Sequence, residues 1–239
     1  MTTATTREAM KPYETIVETH PSLEHQFLQD FGNLSLEAFK QFMKEQYLLS
    51  VTLPQALGAV YGIAEDVETE QGRKARWQIA KPLIEFLEQE HWGNQELGSH
   101  SRYFLDVTDS LGISLGELVA HDPFSETVAF TSARTQLARQ GPFVRAVGGL
   151  ALGNEYANSF VFQKYLQGVK RIKQRTGVAI DTGYFDAHVR DEVPDYEIFL
   201  SMVAPYLGKP DTARMIEEGT RIILDARAKW YDGLVKRLF

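Results

Sequence analysis

The spacing of apolar residues constrains the fold more than any other feature of this chain. In the segment LSLEAFKQFMKEQYLLS, apolar side chains recur at the three- and four-residue spacing of one helical face, at Leu36, Phe39, Phe42, Met43, Tyr47 and Leu48. Ser35 stands directly before this run, where its side chain can cap the helix. The same spacing returns along the chain, whereas the alternation typical of strands is scarce. The sequence therefore predicts an all-α fold.

Turn and capping residues divide the pattern into successive helices. Pro54 stands where a new helix could begin, since proline is favoured in the first helical turn. Ser114 and Glu117 have the spacing of a capping box. Neither a repeat nor a low-complexity linker interrupts the order. We therefore expect one domain over residues 1–239, with residues 1–12 as a flexible tail.

Composition excludes several classes of function. The 239 residues include no cysteine, which removes disulfides, thiolate catalysis, Fe–S clusters and cysteine-ligated zinc. The net charge of −7 argues against non-specific binding to nucleic acid or to anionic membranes. There is no run of about 18 apolar residues, and the start of the chain has no apolar signal core. We expect a cytoplasmic protein whose partner is a small molecule.

One histidine and several acids share a helical face with core residues in the stretch YFDAHVRDEVPDYEIFL. Positions i, i+4 and i+7 lie on one side of a helix, and here they are His188, Glu192 and Asp195, with Asp191 as a near neighbour. A histidine near a helix start is more often a surface or hydrogen-bonded residue than a ligand. This face indicates a metal site only if further ligands meet it.

Two other segments carry candidate ligands. Glu155 lies in the small and apolar segment GGLALGNEYANSFVF, where an acid is costly to bury without a partner; its ordinary alternative is an ion pair with Arg145 or Arg171. The segment EFLEQEHWGNQELGSHSRYF contributes Glu88, Glu90, His91, Glu96 and His100. Single acids there could equally form a solvated face. Acids and imidazoles on three helices together indicate a transition metal bound by oxygen and nitrogen. The remaining histidines are assigned to structure or surface: His20, His25 and His121.

The order of these segments resembles the haem-oxygenase-like di-iron oxidase and oxygenase family, which shares its fold with thiaminase II and the pyrroloquinoline-quinone-synthase-like proteins. The front end HPSLEHQFLQDFGNLSLEAFKQFMKEQYLLS looks like the opening of that superfamily. Three later stretches look like its ligand-bearing segments: HSRYFLDVTDSLGIS, GGLALGNEYA and YFDAHVRDEVPDYEIFLSMVAPYL. The resemblance implies a single-domain haem-oxygenase-like bundle of about seven core helices, assembled as a homodimer.

Carried over residue by residue, the resemblance implies a set of metal ligands: Glu90, His100, Glu155, His188, Glu192 and Asp195. The alternates are Glu88 and His91 for the first ligand, and Asp191 on the last helix. Asp195 stands where the family usually has histidine, which implies either a harder and more anionic second site or a weakly held second metal. The implied cofactors are two Fe(II) ions, with O2 as co-substrate.

The resemblance also implies a type of reaction, namely O2-dependent oxidation of a small amino-acid-derived or carboxylate metabolite in specialised biosynthesis. Family members catalyse C–C cleavage, desaturation or N-oxygenation, and one branch turns a halogenated tryptophan into an indole nitrile. The aromatic-rich sequence suits a tryptophan-like substrate, whose carboxylate could be held by Arg145, Lys164 or Arg171. Thiaminase II would need the cysteine that this chain lacks. Two alternatives stay open: a metal-free quinone-cofactor-synthase-like oxidase on the same fold, and a non-catalytic helical interaction protein.

Overall fold

The computed structural model describes residues 3–63, 80, 83–84, 87 and 99–239. Over these ranges the chain is helical and contains no strand, as the all-α prediction requires. The α-helices are, in chain order, α1 (Thr3–Glu18), α2 (Gln26–Asp30), α3 (Leu36–Ile63), α4 (His100–Ser110), α5 (Leu115–Ala120), α6 (Ser125–Gln140), α7 (Phe143–Gly148), α8 (Ala157–Thr176), α9 (Gly183–Val203) and α10 (Thr212–Leu238). A π-helical segment, Gly149–Tyr156, joins α7 to α8.

Seven of the described helices have eleven residues or more, and all seven contribute to one hydrophobic core. Aromatic rings fill its centre: Phe31 packs on Tyr165 with 4.6 Å between ring centroids, and Phe27 stacks on Tyr231 at 5.4 Å. Such rings bury large apolar areas and fix their neighbours through offset or edge contacts. None of the described helices is long and apolar enough to cross a bilayer.

Residues 1–12 were expected to form a flexible tail, but the chain is helical from Thr3 onward. Met10 and Val17 of α1 are fully buried, because their seven-residue spacing places them on one face of the helix. The hydroxyl group of Tyr196 in α9 donates a hydrogen bond of 3.1 Å to Glu14. The core and this hydrogen bond hold the segment against the bundle.

Pro54 lies inside α3 and does not begin a new helix, so that boundary was predicted wrongly. Leu57 and Val60 continue the buried face beyond the proline. Proline removes a backbone donor and crowds the preceding turn. One residue before that turn, the carbonyl oxygen of Leu49 accepts a hydrogen bond of 2.7 Å from Nη2 of Arg134. A side chain from another helix thus contacts α3 close to the proline.

The predicted caps are confirmed. The hydroxyl oxygen of Ser35 accepts a hydrogen bond of 3.1 Å from the N–H of Ala38, and Ser114 with Glu117 forms a complete capping box. His20 and His25 also have structural roles, because Nδ1 of each accepts a backbone N–H at the start of a short helical turn.

Glu45 of α3 is a fully buried acid that the sequence pattern did not distinguish. Its carboxylate accepts hydrogen bonds from the hydroxyl of Thr127 at 2.5 Å and from the N–H of Phe124 at 3.0 Å. His121, which was assigned to structure or surface, lies 2.6 Å from the same carboxylate through Nε2. These contacts attach α3 to the start of α6.

Replacing Glu45 by Gln is expected to lower the free energy of unfolding by about 2 kcal/mol, because charge-assisted hydrogen bonds to a buried acceptor would become weaker or be lost. Urea denaturation measures the change. The matched control is Glu37→Gln, since the Glu37 side chain is 82% exposed on the same helix and its replacement should cost less than about 0.5 kcal/mol. Equal losses in the two variants would contradict a structural role for Glu45.

Candidate metal centre

Glu155 lies in the π-helical segment Gly149–Tyr156 and is only 3% exposed. Its Oε1 accepts a hydrogen bond of 2.9 Å from the amide group of Asn154. A π-helical turn is wider than an α-helical one and is frequent at functional sites. The segment places this carboxylate in the protein interior.

Glycines let the π-helical segment approach α10 closely. A Cβ atom on Gly149 would lie 2.7 Å from the carbonyl oxygen of Gly219, and one on Gly153 would lie 2.7 Å from Cβ of Ile223. A Cβ atom on Gly219 would lie 2.0 Å from the carbonyl oxygen of Arg145. These distances are too short for real side chains. The small residues of this segment therefore admit a close neighbour.

The acid-rich stretch forms the first part of α9, and its predicted face is buried. His188 and Asp191 are each 8% exposed, and Glu192 and Asp195 are each 1% exposed. Oε1 of Glu192 lies 4.0 Å from Nε2 of His188, one helical turn away. Acids are almost never this buried unless they have a partner or bind a metal. The predicted inward face of this helix is confirmed.

His188 is held as a neutral imidazole protonated at Nδ1, which is a form of histidine that can bind a metal through Nε2. Its Nδ1 lies 2.8 Å from the carbonyl oxygen of Tyr184; a carbonyl only accepts, so Nδ1 carries the proton and Nε2 keeps its lone pair. The ring stacks on Phe162 at 4.0 Å and on His100 at 4.3 Å between centroids. Burial, and next the adjacent His100, lower the pKa of His188 well below its ordinary value, which keeps the imidazole neutral. A hydrogen bond to the second ring nitrogen is typical of ligand histidines.

His100, at the start of α4, is paired with Asp191. Its Nε2 lies 3.1 Å from Oδ2 of Asp191. Arg190 donates two further hydrogen bonds to this carboxylate, from Nε to Oδ1 at 2.7 Å and from Nη2 to Oδ2 at 2.6 Å. Burial opposes ionisation of Asp191, but the hydrogen bonds from His100 and Arg190 outweigh it and hold its pKa at about 2. Asp191 is therefore a carboxylate that orients His100, as acids beside ligand histidines do.

The candidate metal ligands offer imidazole nitrogens and carboxylate oxygens, which are types of ligand that bind iron. Within the described part of the chain, no three His, Asp or Glu side chains form a group that could hold a metal ion. Glu88, Glu90 and His91, the candidates for the first ligand, lie outside the described residues. The full predicted set therefore stays a prediction.

A cavity adjoins the two histidines. Its wall includes His100, His188, Gln46, Arg134 and Arg227. Its volume is about 50 Å³, and a buried water needs roughly 10–15 Å³. The space therefore suits a head group of a few heavy atoms rather than a whole aromatic metabolite.

Arg145, Lys164 and Arg171 do not line this cavity. Arg145 donates to a backbone carbonyl group at the start of its own helix, and Lys164 forms an ion pair of 2.8 Å with Glu24. The side chain of Arg171 packs against Gly32. Neither arginine forms the alternative ion pair with the glutamate of the π-helical segment. The structure therefore does not support a role for these three in holding a substrate carboxylate beside the histidines.

A comparison with known proteins identifies the family to which this chain belongs. A family model described as iron-containing redox enzyme matches residues 40–228. The chain belongs to this family. This agrees with the resemblance stated from the sequence and supports an oxidoreductase activity. No curated protein matches the chain.

Solved structures similar to this chain include a CADD-like protein, a TenA homologue and a domain with a haem oxygenase-like fold. A CADD-like protein of unknown function from Nostoc punctiforme has a TM-score of 0.77 at 14% identity, covering 98% of this chain and 99% of that one. A TenA homologue from Pseudomonas syringae gives 0.64 at 12% identity, covering 98% and 92%. A domain of unknown function with a haem oxygenase-like fold from Shewanella denitrificans gives 0.63 at 14% identity, covering 96% and 90%. These likenesses confirm the predicted fold.

Sequence reasoning missed the two arginines in the wall of the cavity, Arg134 and Arg227. Arg134 lies on α6 and Arg227 on α10, about 90 positions apart along the chain. One signal was available for Arg227: Ile223 and Trp230 lie four residues before and three after it, so all three share the buried face of α10. A charged residue on such a face indicates a buried polar site.

Proposed function

We propose that this protein is a non-haem di-iron oxidase or oxygenase that uses O2 on a small amino-acid-derived carboxylate metabolite. The observation that carries the proposal is the stacked pair of buried histidines, His100 and His188, at the wall of a cavity and beside buried acids. Membership of a family of iron-containing redox enzymes supports the oxidative chemistry.

The proposed ligands are His100, Glu155, His188, Glu192 and Asp195, together with one of Glu90, Glu88 or His91. Bound iron would supply one-electron redox chemistry with O2, which protein side chains lack. Asp191 would not ligate; it would keep its hydrogen bond to His100 and so fix the orientation of that ring.

Other residues of the chain would orient and shield the site. The carbonyl group of Tyr184 holds the proton at Nδ1 of His188, and the ring of Phe162 covers one face of the imidazole and excludes water there. The Oε1 atom of Gln46 is buried in the cavity wall and accepts no hydrogen bond from any residue that the structure describes. A buried acceptor of this kind suits the N–H group of an amine substrate.

The proposed reaction is oxidative C–C cleavage, desaturation or N-oxidation, the last including nitrile formation from a tryptophan-like amino acid. The cavity volume of about 50 Å³ suits the head group where such chemistry occurs. An indole ring would have to extend beyond this cavity.

Anaerobic loading with Fe(II) tests the proposal. We expect about two irons per chain, as in other carboxylate-bridged di-iron bundles, and an optical change that appears only after O2 is admitted. Metal analysis and absorption spectroscopy measure both. The control is Glu197→Gln, because Glu197 lies on the exposed face of α9 and pairs with Arg7, so its replacement should leave the iron content unchanged.

The two alternatives predict different results. A metal-free quinone-cofactor-synthase-like oxidase would bind no iron and would still consume O2 with its substrate. A helical interaction protein would do neither. Wild-type protein that takes up no iron under these conditions would contradict the proposed function.

A further inference from the structure

Two buried arginines lie in the cavity wall with His100 and His188. Arg134 and Arg227 are each only 4% exposed. Both guanidinium groups lie over the ring of Phe130, at 5.4 and 5.6 Å from its centroid. The two side chains therefore bring two positive charges to one small region of the interior.

Neither charge is neutralised by an ion pair in the described part of the chain. Arg134 donates to the carbonyl oxygen of Leu49 at 2.7 Å and to the hydroxyl of Thr52 at 3.1 Å. Arg227 donates to the amide oxygen of Asn158 at 2.9 Å and more weakly to a carbonyl group at 3.2 Å. All of these acceptors are neutral. The Nε–H of Arg227 is buried and donates no hydrogen bond.

The electrostatics of the pair favour an anion. The pKa of Arg134 is lowered to about 10, mainly by burial and secondly by the positive charge of Arg227. The negative charge of Glu155 acts to raise it. Arg134 is still protonated at neutral pH, because a pKa of about 10 lies well above 7. Removing one partner of a buried ion pair leaves a costly uncompensated charge, and here two such charges share one cavity. An anion in the cavity would relieve this cost.

We propose that Arg134 and Arg227 together bind the carboxylate of the substrate and so place its head group beside His100 and His188. The inference rests on the proposed function, because the same cavity adjoins the proposed iron ligands. A carboxylate fits best, since a guanidinium group offers parallel N–H donors to a planar pair of oxygens. The cavity volume of about 50 Å³ accommodates that group.

Acetate is the probe and acetamide its neutral control, both added at constant ionic strength to the full chain prepared without iron. We expect acetate to raise Tm and acetamide to leave it unchanged, because only the anion compensates the arginines. Titration followed by tryptophan fluorescence gives the dissociation constant, since Trp230 lines the cavity. In Arg134→Met and Arg227→Met, acetate should bind about ten-fold more weakly or worse, because a charge-assisted pair is lost.

A conservative variant and a stability measurement separate binding from structure. Arg227→Lys keeps the charge but not the planar fork, so acetate should bind several-fold more weakly than in wild type and more tightly than in Arg227→Met. Without acetate, Arg227→Met should be no less stable than wild type, because it removes an uncompensated charge. If Arg134→Met and Arg227→Met do not fold, the acetate affinity of Arg227→Lys relative to wild type provides the test. Equal responses to acetate and acetamide, or wild-type acetate affinity in the variants, would overturn the proposal.

Iron loading of the same variants distinguishes this inference from the proposed function. The arginine variants should bind as much Fe(II) as wild type. Wild-type protein that binds acetate but no iron would refute the di-iron function and leave the anion site standing. Protein that binds iron but does not distinguish acetate from acetamide would refute the anion site alone.

Discussion

Gly219→Ala is expected to destabilise the protein by about 3 kcal/mol, which corresponds to a fall in Tm of roughly 10 °C for a chain of this size. The new Cβ atom would lie 2.0 Å from the carbonyl oxygen of Arg145 and 3.0 Å from the backbone nitrogen of Gly149. Both obstacles are backbone atoms, one in α7 and one at the first residue of the π-helical segment, so no side chain can turn aside. Either α10 or this facing stretch must move. Thermal and urea denaturation measure the loss.

The control substitution is Gly58→Ala in α3, where an added Cβ atom meets nothing within 4 Å. Alanine is favoured over glycine in a helix by up to about 1 kcal/mol, so this variant should be slightly more stable than wild type. If Gly219→Ala unfolds within about 0.5 kcal/mol of wild type, the close approach of α10 to the π-helical segment is contradicted.

Local signals were sufficient for most of the fold. The spacing of Leu36, Phe39 and Met43 predicted α3, and the Ser114 capping box predicted the start of α5, because each depends only on neighbouring residues. The errors arose where distant residues decide. Pro54 stays inside α3, where the Arg134 side chain from α6 bonds to a carbonyl oxygen close to the proline, and no local pattern indicates such a contact.

The same distinction between local patterns and contacts of distant residues applies to the candidate site. Helical spacing was enough to predict that His188, Glu192 and Asp195 share a buried face. Spacing could not show that Asp191 would pair with His100 from a helix about 90 residues away. It also could not choose among the many arginines and lysines, because which cations line a cavity depends on how the helices pack. Charge alone therefore could not single out the cations that line the cavity, Arg134 and Arg227.

His188→Ala is expected to lower the affinity for Fe(II) by about 100-fold or more and to abolish the O2-dependent optical change. Loss of residues that merely support a metal ligand already costs roughly 10–100-fold in affinity or activity, and His188 is proposed to be a ligand itself. Its neutral ring and the lone pair at Nε2 are fixed by Tyr184 and by stacking on Phe162. Equilibrium dialysis with Fe(II) under anaerobic conditions measures the affinity.

Two further variants separate ligation from a general effect on α9. Val193 lies on the opposite face of this helix and is 47% exposed, so Val193→Ala should bind iron as wild type does. Asp191→Asn should give an intermediate loss of about 10–100-fold, because the amide orients His100 less strongly than the carboxylate. If His188→Ala is folded and binds iron normally, His188 is not a ligand, and its burial serves only the packing between Phe162 and His100. Normal iron binding by the Asp191 variant alone would remove only its positioning role.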